Sequence, residues 1–122
     1  MGVSVYVHDD RMTVDFDGLD RLLVLKGHLE VSLADITDAR VAPQAELRRD
    51  LGWRLGGGHW PGAFATGHFS TKGGGGGRQL WDCYRDPDVL LIETRLDNPG
   101  RIVLQHPDRD RLAWLIAERL GR

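Results

Sequence analysis

Hydrophobic and polar residues alternate along much of this chain with a period of two, the pattern of half-buried strands. Val3, Val5 and Val7 alternate with Ser4, Tyr6 and His8, and Met12, Val14 and Phe16 alternate with Thr13, Asp15 and Asp17. His8, Asp9, Asp10 and Arg11 lie between the two runs and are polar enough for a turn, so the chain is predicted to open with a hairpin. Leu29, Val31 and Leu33 share one face of a third strand. Residues 36–41 read as a fourth, whose alternation slips by one between Ile36 and Ala39, as a bulge would make it. Strands are also predicted over 63–71, 79–84, 89–96 and 101–105, with turns at Asp86-Pro87-Asp88 and Asp97-Asn98-Pro99-Gly100.

Helical spacing occurs in fewer places. Leu19, Leu22 and Leu23 stand at i, i+3 and i+4, the apolar side of a short amphipathic turn that Gly27 stops. Near the end, Leu112, Leu115, Ile116 and Leu120 form an apolar stripe, with Asp108 placed to cap the helix and Gly121 to stop it. Between these regions, 44–62 is the least regular stretch. Residues 45–50 can make one helical turn, and Gly52, Gly56, Gly57, Gly58, Pro61 and Gly62 then argue for a loop rather than a long element. The glycine run at 73–77, flanked by Lys72 and Arg78, predicts a mobile hairpin loop, because it has no side chains to pack and is entropically costly to order. The fold class that follows is mainly β: about seven short strands and one C-terminal helix.

This order of elements resembles a bacterial pleckstrin-homology (PH)-like domain, and the chain also resembles a group of small uncharacterised bacterial proteins. The pieces that carry the resemblance are Gly18-Leu19-Asp20-Arg21-Leu22-Leu23, the strand pair over 28–41, His59-Trp60-Pro61-Gly62 with Gly67 and Phe69, and Asp86-Pro87. The resemblance implies a bent seven-stranded barrel or sandwich, closed at one end by the C-terminal helix. Phosphoinositide-binding members carry a dense basic motif on the first hairpin. Here that hairpin is acidic, so lipid recognition of that kind is not carried over.

A length of 122 residues suits a single domain spanning 1–122. The formal charge of -2 argues against a general nucleic-acid binder, whose affinity rests on phosphate contacts. The apolar runs at 22–25 and 89–92 are far shorter than the ~20 residues of a membrane span. A single cysteine and the absence of a leader-like N-terminus predict a cytoplasmic protein. Charge is uneven along the chain: 9–20 is acidic and 40–78 basic.

Candidate chemistry is sparse. Five scattered histidines and one cysteine match no zinc-ligand spacing, so no metal or other cofactor is expected. Cys83 sits mid-strand beside Trp81 and reads as a small buried hydrophobe rather than a nucleophile. The glycine run lacks the strand–loop–helix context of a phosphate-binding loop. No catalytic residue is assigned, and a non-enzymatic module is expected. The richest stretch is 48–60, where Arg48, Arg49, Trp53, Arg54, His59 and Trp60 stand among glycines. Tryptophan and arginine are the residues interfaces use as anchors. Arg49, Trp53, Arg54, His59, Trp60, Lys72 and Arg78 are therefore the candidate binding residues. The expected partner is a protein, or a second copy of this chain, taken at a sheet edge or at this segment. The alternative is peripheral contact with anionic lipid headgroups through the basic 48–78 region.

Overall fold

A computed structural model describes residues 2–24, 26–60, 64–71 and 77–121, with the backbone alone described for 53–60 and 64. In chain order the elements are β1 (Val3–Val7), β2 (Arg11–Phe16), α1 (Gly18–Val24), β3 (His28–Ser32), β4 (Ile36–Pro43), α2 (Gln44–Arg48), β5 (Leu51–Trp60), β6 (Phe64–Thr71), β7 (Arg78–Cys83), β8 (Asp88–Thr94), β9 (Arg101–Leu104) and α3 (Arg109–Arg119). The protein is mainly β, with two sheets and one C-terminal helix. The first sheet has the order β1-β2-β3 and the second β4-β8-β9-β7-β6-β5. Among the described residues the strands number nine rather than about seven, and they form two sheets with free ends rather than one closed barrel.

The first sheet follows the alternation closely. Val3 faces Phe16, Val5 faces Val14 and Val7 faces Met12, while Met12 and Val14 face Val31 and Leu29 on the other side. All of these residues lie in or against one core cluster. The opposite face is polar and carries cross-strand pairs, His28 Nδ1 to Asp15 Oδ1 at 2.6 Å and Arg11 to Glu30 at 3.4 Å.

The second sheet is buried on both faces, so its inner strands read as apolar runs. Leu90, Ile92, Ile102 and Leu104 turn toward the first sheet and α3, whereas Val89, Leu91 and Val103 turn the other way. There they meet Ala65, Phe69, Trp81, Cys83 and Leu47 in a second core. Phe69 and Trp81 pack edge-on with ring centroids 6.4 Å apart. The Trp81 indole N–H donates to Gln79 Oε1, which satisfies a polar group inside this core. The predicted bulge in β4 is present as a register shift between Ile36 and Asp38.

Three expectations are corrected. The segment beyond Asp50 is not an irregular loop: Leu51–Trp60 is a ten-residue strand paired with β6. A ladder needs only backbone groups, which glycine supplies, and at Gly52 the backbone runs so close to Ser70 that an added Cβ would lie 2.4 Å from its Oγ. Helix α1 is turned inside out relative to its leucine stripe. Leu19 and Leu22 are 63% and 71% exposed, while Asp20 and Val24 are buried. At α3 the Asp108 side chain caps nothing; it meets Arg111 instead, and its main-chain oxygen accepts from Leu112 N–H. Helix α3 packs on β4 and β8, with Leu112 and Ile116 of its stripe buried and Leu120 against the core, whereas Leu115 is only half-buried and Ala113 is buried. The predicted loop at 73–77 lies outside the described residues except for Gly77, which takes the left-handed conformation (φ 59°). Among the described residues no helix is long and apolar enough to cross a membrane.

Candidate functional site: the free edge of the six-stranded sheet

Among the described residues, strand β5 ends the six-stranded sheet and pairs only with β6. Its first half is irregular, with register shifts between Leu51 and Arg54 and between Arg54 and Gly56. Its second half is regular: Gly56, Gly57, Gly58, His59 and Trp60 oppose His68, Gly67, Thr66, Ala65 and Phe64 in unbroken register. Each edge residue in such a ladder turns its N–H and C=O alternately toward the neighbour and away from it.

The candidate binding residues divide around this edge. Trp53, Arg54, His59 and Trp60 all belong to β5. Arg49 is exposed in the turn that leads into it, its N–H bonded to Glu46 O. Arg78 is exposed at the start of β7, two strands inward, opposite Ser70 of β6. Lys72 lies outside the described residues. The sheet edge and the 48–60 segment, two separate expectations from the sequence, are thus largely one feature. Arg48 does not join them, because its guanidinium is held by the Gln44 side-chain oxygen.

Gln44 is itself buried and donates to the main-chain oxygens of Tyr84 and Asp86. It anchors α2, and with it the start of β5, to the turn after β7. Gln79 adds a second tie by donating to Asp50 O at 3.0 Å. The edge strand therefore stands on a fixed base.

The sequence reading overlooked a cluster behind this edge, where α1 packs on β5, β6 and β7. Asp20 of α1 is buried and accepts from Tyr84 Oη at 2.5 Å and from the Gly2 N–H at 2.9 Å. Asp82 of β7 is 1% exposed, and neither of its oxygens meets a conventional donor. A proton between Asp82 and Asp20 resolves this, since one carboxyl then donates to the other. Burial first, and the bond to Asp20 and its charge after it, push the Asp82 carboxyl up to about 8. Burial and the bond to Asp20 also push the Tyr84 phenol up. The available signal was the alternation of β7: Asp82 falls on the Leu80 face, where an acid must be buried.

Cys83, on the other face, is fully buried with its thiol against Val103 O at 3.5 Å. Burial pushes the thiol up, which is opposite to the activation a nucleophile needs. Among the described residues no group of His, Cys, Asp or Glu side chains is arranged to hold a metal ion. A polar groove of about 310 Å³ runs past Thr37, Gln79, Thr94 and Arg101. Its Arg101 is clamped between Asp50 and Glu93, at 2.9 Å from each. That arginine braces β5 against β8 and β9 and is not free for a ligand. The chain matches no protein-family model, no curated protein and no solved structure.

Proposed function

We propose that this chain is a non-enzymatic interaction module, and that it pairs with a second copy of itself through the outer edge of β5. The observation that carries this reading is the regular, unbulged half of that edge over 56–60, at the end of a six-stranded sheet. Edge strands are usually guarded by bulges, prolines or charged side chains. Here the shifts lie only before Gly56, and Gly56, Gly57 and Gly58 bring no side chain to obstruct an incoming strand. Strand addition takes its affinity from main-chain hydrogen bonds and its selectivity from flanking side chains. Trp53, Arg54, His59 and Trp60 are the flanking set in this reading. The pleckstrin-homology-like architecture belongs to the same proposal. Its support is the C-terminal helix packed on β4 and β8, and its departure is the extra strand β5.

Consecutive residues of an antiparallel strand send their N–H groups to opposite sides. One of the two variants Gly57→Pro and Gly58→Pro therefore removes only an outward N–H and leaves the ladder to β6 whole. Sedimentation velocity over a range of concentrations is expected to show a monomer–dimer equilibrium for the unaltered chain. The variant that keeps its melting temperature is expected to stay monomeric. An unaltered chain that is monomeric at every concentration overturns the proposal, as does a well-folded outward-proline variant that still dimerises.

A further inference from the structure

Every aspartate and glutamate of the chain lies within the described residues, so the charge balance around each described cation is complete for side chains. Most arginines that come near a carboxylate pair with it, as Arg101 does with Asp50 and Glu93. Lys26 and Arg78 do not: neither has a carboxylate within 4.0 Å. Both approach His68 of β6, Lys26 from the turn after α1 and Arg78 from the start of β7.

A pocket of about 100 Å³ opens beside Lys26 and His68, lined by Leu29, Leu80, Asn98 and Pro99 as well, with Arg78 outside the lining. Its apolar walls, Leu29 and Leu80, belong to the main core and are buried. Among the described residues that line it, the polar ones are Lys26, His68 and Asn98, and none is an aspartate or glutamate. A single water needs roughly 10–15 Å³ of such space, so a four- or five-atom anion fits.

We propose that this pocket binds a small oxyanion of the size and charge of sulfate or inorganic phosphate. Lys26 supplies the charge, Asn98 an amide donor and His68 a ring N–H, with the Arg78 guanidinium adding to the positive field. The Val24 main chain, at the C-terminal end of α1, lies beside the His68 ring and favours its protonated form. Burial first, and the two cations after it, hold His68 below the ordinary imidazole range while the Val24 main chain acts the other way. Without an anion beside it, the ring is therefore neutral near neutral pH. A bound oxyanion reverses the repulsion and draws a proton onto the ring, so affinity rises as the solution is acidified.

Sulfate is the probe of choice because its charge does not change across this range, and chloride at matched ionic strength is the control. NMR of the imidazole C–H signals reads the site directly. The His68 signals are expected to move saturably with sulfate, and their titration midpoint to shift upward, while those of His106 stay in place. His106 serves as the internal reference because it too is partly buried and held low, but stands beside Asp108. Lys26→Gln is expected to lower the affinity about tenfold, the size of one charge-assisted hydrogen bond. His68→Gln is expected to keep weak binding and lose its pH dependence. Sulfate shifts that are equal at all histidines, or a Lys26→Gln variant of unchanged circular dichroism that binds sulfate as tightly as the unaltered chain, would overturn the proposal.

Discussion

Asp82 shows how one side chain can set the pH response of a fold. Its carboxyl titrates at about 8 in the folded chain against 3.8 in a free chain. Between those two values the unfolded state has released the proton and the folded state still holds it. The folded state thus binds more protons there, and stability falls as pH rises across the window. Above about 8 both states are ionised and this contribution levels off. Asp82→Asn keeps an amide donor for Asp20 and cannot ionise. Urea unfolding across the window is expected to show a shallower decline for this variant, with its advantage over the unaltered chain growing toward pH 8. Parallel declines for the two proteins would remove Asp82 as the source. Much of the residue scale was legible beforehand. Cys83 was placed in the core from its neighbours, and it lies there. Asp20 was read as part of an acidic stretch and of the 18–23 resemblance but not as a buried acceptor, because the sequence does not show that Tyr84, sixty-four residues away, brings it a donor.

At the scale of elements, alternation was a good guide where side chains decide the structure and a poor one where the backbone does. The opening hairpin, the β4 bulge and the α3 stripe were all readable. Strand β5 was not, because glycine carries no pattern and its ladder is imposed by β6. Helix α1 misled for a related reason. Its leucines have the spacing of an inward face, yet the hydrogen bonds of Asp20 to Gly2 and Tyr84 turn that residue inward instead. The two helices therefore respond oppositely to mutation. Ile116→Ala, at a fully buried position of α3, is expected to cost about 2–5 kcal/mol. Leu22→Ser, at an exposed position of α1, is expected to change stability by no more than about 0.5 kcal/mol. Thermal unfolding of both variants checks the pair. A Leu22→Ser loss as large as that of Ile116→Ala would contradict the orientation of α1.

At the scale of the whole molecule, strand order is what the sequence could not show. β7 pairs in parallel with β9, and β8 runs antiparallel between β4 and β9. Periodicity carries no information about such neighbours, since β7, β8 and β9 each bury apolar residues on both faces. The order nonetheless decides function in this reading, because it places β5 at the end of the larger sheet with a core on each side holding the sheet rigid. Hydrogen exchange of the backbone amides over 56–60, followed by NMR at low and high protein concentration, tests that edge most directly. Inward N–H groups bonded to β6 are expected to be protected at both concentrations. The alternate, outward N–H groups are expected to exchange freely when dilute and to become protected when concentrated. Outward amides whose exchange does not change with concentration would contradict β5 as the pairing surface.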